Sequence, residues 1–405
     1  MKTASVILFA LTLFVYDAFA IEIRGRVLDE KYFPVPNVRV SISTGGVTKT
    51  DKFGIFSLFA ESTPYSLYIS DNSLMNAVLY TNLSASTPEI IMFGLPFSRN
   101  VNNEMVKVEF PMVQTGRNVI LKFISSDVFY SEDVVASPGE WKKVLNVIFP
   151  SYTDRINGRI IYLEKSPTSF IKYAEYPVTI IKEGYPQNTY FDSLTAYTFP
   201  LESFVTIYPP AFAFDTKGFT VYGDFLSMHR NAEIMINETE GDIISSKVLV
   251  PMNLPYGFRL KIEGRGGFTK GSNFVSYTYS YPGSTMNIST ETAPALEAPQ
   301  DKYWGVSNNT MFTWNYGSGS GVYVAHFHSF VPVGDFYIVT IDKTVRFPRS
   351  YAGNVIDGNE YSWQILKYLT YTSVDDFVRP RLFANDQGYK AILTSELRTF
   401  RINPF

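Results

Sequence analysis

The stretch Gly25–Leu58, reading GRVLDEKYFPVPNVRVSISTGGVTKTDKFGIFSL, constrains this chain more than any other part of it. Ile21-Glu22-Ile23-Arg24 alternates apolar and polar residues and runs into Gly25–Asp29, a first strand. Pro34 and Pro36 each hold φ near −65° and push the preceding residue toward extended geometry, so Pro34–Asn37 is a rigid turn. Val38–Ile42 alternates with period two, the mark of a strand with one buried and one wet face. Gly45-Gly46 allows the positive φ of a tight turn, and Thr48–Leu58 ends in a third alternating strand. The carboxylate of Asp51 is expected to cap the turn before Phe53-Gly54 rather than to bind a ligand.

The rest of the chain has the composition of β structure. Its 405 residues exceed one ordinary core and call for two to four domains. Tyr (28) and Phe (33) are abundant, and both favour pleated, half-buried positions. Charged residues make up 18%, and the net charge of −3 lacks the basic balance that non-specific binding to nucleic acid or an anionic membrane needs. Met1–Ala20 reads as a signal peptide: Lys2, an apolar run from Ala4 to Tyr16, then Ala18-Phe19-Ala20 as a small-x-small cleavage site. Asp17 closes that run short of the roughly 20 apolar residues of a membrane span. The expected location is therefore secreted, periplasmic or cell-surface, with no transmembrane segment once the leader is removed. The absence of cysteine rules out disulfide staples, thiolate metal sites and a lipidated cysteine after the leader. That pattern favours a bacterial envelope.

The residues of the opening stretch resemble the carboxypeptidase regulatory-like domain, a transthyretin-like β-sandwich. Gly25-Arg26-Val27, Val38-Arg39-Val40 and Thr48 through Phe56 fill the places of that family's motif, with Asn37 where a glycine is frequent. The resemblance spans residues 22–96 and implies a sandwich without naming an activity. Near the other end, Ala293–Pro299 reads as a linker, and residues 293–405 resemble a fibronectin type III domain. Met311-Phe312-Thr313-Trp314 stands where that family has its second strand, Asp335–Thr340 reads as a middle strand, and Glu360–Ile365 matches the strand carrying the tyrosine corner. The resemblance implies that Trp314 and Trp363 lie in the core. The insert from Thr370 to Ala391 departs from the family's usual length.

Residues 100–292 match no pattern. Strands at Val106–Phe110, Asn118–Phe123, Gly158–Leu163 and Val178–Ile181 suggest sandwiches, and the length allows two, divided near Gly184–Gln187. Leu260–Glu263 and Phe274–Tyr279 are expected to pair as a hairpin around Gly264–Gly267. The fold class expected is all-β, with sandwich modules in tandem.

Candidate chemistry is sparse, and no catalytic residue or cofactor is expected. His326-Phe327-His328 puts two imidazoles on one strand face. They are half of a metal site without its third ligand, so no metal is expected. Gly317-Ser318-Gly319-Ser320-Gly321 has glycine at the centre where a nucleophile elbow needs serine, and reads as a flexible loop. Gly266 and Gly271-Ser272 lack the lysine of a phosphate loop, and the pair Glu238/Glu240 is a carboxylate pair of a kind found throughout an acidic chain. Trp141 and Trp304 sit beside turn residues, where an indole can serve as a stacking platform for a sugar. The expected function is non-catalytic adhesion, assembly or spacing against a protein or polysaccharide surface. The alternatives are a carbohydrate-binding accessory protein using Trp141 or Trp304, and an enzyme with its site in the middle region.

Overall fold

Period-two alternation of burial builds the strands, as in β1 (Ile21–Leu28), where Ile23, Gly25 and Val27 face inward and Glu22 and Arg24 face out. The computed structural model describes residues 20–71, 75–95, 100–183, 187–190, 198–210, 214–225, 232–241, 245–254, 258–269, 271–347, 358–379 and 390–403. The expected leader lies outside them except for Ala20. The described structure is almost entirely β, with several sheets and one helical turn.

In the first module β1 is followed by β2 (Arg39–Ile42), β3 (Val47–Lys49), β4 (Ile55–Ala60), β5 (Tyr65–Ser70), β6 (Asn76–Leu83) and β7 (Glu89–Ile91). They form two layers, β4-β1-β7 and β3-β2-β5-β6, with β1 antiparallel to β4 and parallel to β7. The second module has β8 (Val101–Glu109), β9 (Asn118–Ile124), β10 (Tyr130–Ser131), β11 (Val134–Ala136), β12 (Lys142–Pro150), β13 (Arg155–Lys165), β14 (Phe170–Ile181) and β15 (Gln187–Tyr190). Its layers are β10-β12-β8-β15 and β11-β9-β13-β14. The third has β16 (Glu202–Tyr208), β17 (Thr216–Asp224), β18 (Glu233–Glu240), β19 (Ser246–Pro251), β20 (Arg259–Gly267), β21 (Asn273–Ser280) and β22 (Thr285–Asn287), layered as β19-β16-β22 and β18-β17-β20-β21. With the two-residue β10 set aside, the strand order is the same three times. In each copy the first strand closes in parallel on the last, as β1/β7, β8/β15 and β16/β22.

The fourth module is built differently, from β23 (Leu296–Ala298), β24 (Tyr303–Val306), β25 (Met311–Trp314), β26 (Gly321–Phe330), β27 (Val333–Thr340), β28 (Thr344–Arg346), β29 (Glu360–Leu369), α1 (Val374–Phe377), β30 (Lys390–Thr394) and β31 (Arg398–Ile402). The sheet β23-β25-β28 packs on β27-β26-β29-β31 around an aromatic core, in which Phe312 meets Phe327, Trp363 and Phe400 at centroid distances of 4.9–5.0 Å. Trp314 and Trp363 are both fully buried.

The four sandwiches follow one another in sequence but not in a row in space. β27 pairs in parallel with β6 of the first module, and β30 pairs antiparallel with β21 of the third. One continuous sheet therefore runs β18-β17-β20-β21-β30-β29-β26-β27-β6-β5-β2-β3, with the fourth module in its middle.

Several local expectations change. Ala293–Pro299 is not a bare linker, because Leu296 is buried and pairs with Trp314 in β23. The division of the middle region falls between Tyr190 and Glu202 rather than near Gly184–Gln187, since β15 pairs with β8 and belongs to the second module. The hairpin of β20 and β21 forms, but Gly264–Gly267 lie within the strand, and the connection is closed beyond them by Phe268 N–H donating to Ser272 O (2.9 Å). A side chain at Gly264 would run into Ile288, and one at Gly266 into Phe274, so these glycines make room for packing. The described part of the long insert does structural work. Asp375 Oδ1 in α1 accepts from the N–H groups of Ser84 (2.7 Å) and Ala85 (2.9 Å), and Val374 and Val378 enter the core of the first module.

The opening motif acts locally. Asp51 Oδ1 accepts from the N–H groups of Phe53 (2.8 Å) and Ile55 (2.9 Å), and Thr50 Oγ1 donates to Val35 O (2.7 Å) while accepting from Val38 N–H (3.0 Å). Gly54 has φ +75°, and a Cβ there would meet the Val27 carbonyl, whereas Gly45 at φ +105° has open space around it. Gly54→Ala should therefore destabilise the chain by about 2 kcal/mol or more, and Gly45→Ala by clearly less. Urea unfolding of the two variants side by side checks the order.

Candidate functional site

β26 serves two cores at once. Val322 and Val324 point into the core shared with the first module, while Tyr323, Ala325 and Phe327 point into the aromatic core of the fourth. His326 and His328 continue the Val322/Val324 face, toward the end of the strand, where both become half-buried. The register of β26 with β27 sets Asp335 directly opposite His328 and Tyr337 opposite His326. On the other side β29 sets Gln364 opposite His326.

The side chains converge. Asp335 Oδ1 lies 2.6 Å from His326 Nε2 and 3.0 Å from His328 Nδ1. Gln364 Nε2 is 3.3 Å from the other ring nitrogen of His326, Nδ1. Tyr337 stacks on the His326 ring at 4.3 Å and 7°, and Phe330 meets the His328 ring edge-on at 4.9 Å. Burial of Asp335 works to raise its pKa, but the hydrogen bonds and charge of the two imidazoles outweigh this and hold it below the ordinary carboxylate value. Burial pushes the Tyr337 hydroxyl well up. The first module closes one side of the cluster. Asp335 N–H donates to Met75 O (2.8 Å), and Gly94 lies so close that a Cβ would fall 2.8 Å from the Tyr337 hydroxyl and 3.3 Å from Asp335 Cβ.

The structure thus brings together the histidine pair and adds the acid that sequence reasoning lacked. The missing signal was register. With Val331-Pro332 as the hairpin turn, Phe330 faces Val333, and counting back puts Asp335 against His328.

The two indoles are placed apart from this cluster. Trp141 is 43% exposed with the Lys142 ammonium 4.7 Å above its ring, and Trp304 is 69% exposed under the Arg401 guanidinium at 4.4 Å. The two sit on different modules, the second and the fourth.

The Gly317–Gly321 loop is not the flexible connection expected. It wraps the ammonium of Lys367, a residue of β29 that is fully buried. Nζ donates to the carbonyls of Tyr316 (2.9 Å), Ser318 and Gly319 (2.7 Å). Burial lowers the Lys367 pKa, offset in part by the charge of Glu291. Gly317 and Gly319 have φ of +62° and +70°, and side chains there would strike Thr292 O and the Glu291 carboxylate.

In the middle region, a cleft of about 560 Å³ is lined by Arg117, Lys165, Phe204 and Lys247. Arg117 pairs with Glu164 at 2.8 Å, Lys165 donates to Ile236 O, and Lys247 lies 4.3 Å above the Phe204 ring. The carboxylate pair Glu238/Glu240 faces Arg265, whose Nη2 ion-pairs with Glu238 and lies 3.6 Å from Glu240. Among the described residues, no helix is long and apolar enough to cross a membrane.

Removing the charge from the carbonyl cage tests its importance. Lys367→Met leaves three buried carbonyls without their donor and should cost about 3 kcal/mol, read as a lowered urea midpoint with unchanged slope.

No family model matches the chain, and no curated protein matches it. Among solved structures, it is similar to a tetra-tandem repeat from the extending region of a large adhesion protein, at 9% identity over 95% of this chain and 100% of that one, with a TM-score of 0.18. A Ca²⁺-stabilized adhesin that helps an Antarctic bacterium reach out and bind ice aligns at 10% identity over 93% and 98%, with a TM-score of 0.18. The major pilin subunit of Bacillus cereus aligns at 9% identity over 66% and 98%, with a TM-score of 0.13. At such TM-scores the likeness carries no argument about what this chain does.

Proposed function

We propose that the chain is an exported, non-catalytic β-sandwich protein that mediates adhesion, assembly or spacing at a cell envelope. The observation that carries this reading is the threefold repetition of one seven-strand sandwich, with a fourth module that joins the first and third copies into one continuous sheet. Repeating a module multiplies rigid surface, which suits a protein that presents faces to partners. The turn chemistry of Asp51 and Thr50 supports the resemblance of the first module to carboxypeptidase regulatory-like domains. The three-strand sheet β23-β25-β28 against β27-β26-β29-β31 supports the fibronectin type III resemblance of the fourth. The leader-like Met1–Ala20 supports export. The chain expressed with its first 20 residues should be found outside the cytoplasm and be sensitive to protease added to intact cells. Retention in the cytoplasm, fully protected, would sink the reading.

A second reading, carbohydrate binding, is favoured by the exposure of Trp304 and Trp141. If it holds, the purified chain binds one class of polysaccharide on a glycan array, and Trp304→Ala or Trp141→Ala weakens that binding about 5- to 30-fold. Each indole–pyranose stack is expected to contribute on the order of 1–2 kcal/mol. Binding equal to that of the unaltered chain in both variants removes this reading and leaves the first untouched.

A further inference from the structure

We propose that His326, His328 and Asp335 form a binding site for a divalent transition-metal ion of the zinc class, at the seam between the first and fourth modules. The inference goes beyond the proposed adhesive role and does not depend on it.

Three ligand atoms of suitable type, two imidazole nitrogens and a carboxylate oxygen, lie within 4.8 Å of one another. In a tetrahedral zinc site, bonds of about 2.0–2.1 Å put neighbouring ligand atoms roughly 3.3 Å apart. The observed 2.6 Å and 3.0 Å separations from Asp335 Oδ1 therefore need to open by roughly 0.7 Å and 0.3 Å. Small rotations of side chains at the end of a hairpin supply that.

The ligands are also held as metal ligands are held. His326 is fixed by the Tyr337 ring on its face and by Gln364 at its remote nitrogen. Rotating the Gln364 amide by half a turn presents its oxygen to Nδ1–H, which leaves Nε2 with a free lone pair for the ion. No proton is gained or lost in that tautomer exchange. Such a partner on the second nitrogen is the usual support of a metal-bound imidazole. Asp335 is fixed from behind, because its own N–H is bonded to Met75 O and its neighbours are laddered to β6.

Ligand type selects the ion. Two imidazoles with one carboxylate suit Zn²⁺ and its neighbours, while Ca²⁺ and Mg²⁺ take oxygen ligands almost exclusively. The fourth position is left to water. The alternative is a carboxylate that ties two imidazoles together by hydrogen bonds and binds nothing.

Equilibrium dialysis of the purified full chain against ZnCl₂, followed by metal analysis, separates the two. One equivalent of Zn²⁺ should remain bound. Co²⁺ should give the visible absorption of a four-coordinate nitrogen and oxygen site, and excess Ca²⁺ should not displace either ion. His328→Ala and Asp335→Asn should each abolish retention, Gln364→Ala should weaken it about 10- to 100-fold, and His229→Ala, at the remaining histidine, should leave it unchanged. Zn²⁺ should raise the Tm of the unaltered chain and of His229→Ala but not of His328→Ala, a comparison that keeps a merely misfolded variant from counting as support. No stoichiometric Zn²⁺ or Co²⁺ on the unaltered chain, retention in His328→Ala and Asp335→Asn, or displacement by Ca²⁺ would each overturn the proposal.

Discussion

The parallel ladder between β27 and β6 is the joint on which the architecture depends. Five residue pairs, from Asp335↔Asn76 to Val339↔Tyr80, join two sandwiches edge to edge. The joint makes Val322, Val324 and Val339 of the fourth module part of the same core as Val78 and Tyr80 of the first. Without it both modules would expose apolar strand faces to water, and β6 would expose a row of unpaired backbone groups. α1 reinforces the joint from the other side through Val374, Val378 and the Asp375 carboxylate.

The same physics explains why two of three equivalent edges are covered and one is not. The strand corresponding to β6 is β21 in the third module and β14 in the second. β21 is covered by β30. β14 instead carries devices that refuse a strand. Tyr173 exchanges both backbone hydrogen bonds with Thr198, and Ile181 is held at its N–H and carbonyl by the side-chain amide of Gln187. Pro177, on the same outward-facing register as Tyr173 and Ile181, has no N–H to offer. Neither β6 nor β21 contains a proline. Edge chemistry, more than module order, therefore decides which sandwiches the fourth module can join.

Two polar features lie where the fourth module meets its neighbours or folds on itself. The His326–His328–Asp335 cluster occupies the end of a strand face that would otherwise be apolar. Lys367 takes its ammonium into the interior because the Gly317–Gly321 loop can curl three carbonyls around it. A buried cation is tolerable only with such partners, and only glycines allow the backbone to turn that tightly beside Glu291 and Thr292.

The sequence by itself determined the local structure. Alternation in Val38–Ile42 and the turn chemistry of Asp51–Gly54 are decided by residues within one strand or turn, so they were legible, whereas the buried places of Trp314 and Trp363 were expected only through the resemblance to a fibronectin type III domain. The threefold repeat was not legible. The strands that take the place of β1 in the other copies, β8 and β16, contain no glycine, so the Gly25 that opens the motif of the first copy is absent from them, while the burial pattern that defines the sandwich tolerates any apolar side chain. Two of the three members of the histidine cluster could be seen, because His326 and His328 share a strand. Asp335 required the hairpin register, and the closure by Met75 and Gly94 required a contact across more than two hundred residues. Tertiary structure alone decided how the modules meet, since strand pairing at an edge uses backbone groups that every residue carries: Pro177 marks an edge that refuses a partner, but no side chain names the strand that pairs with β6 or β21.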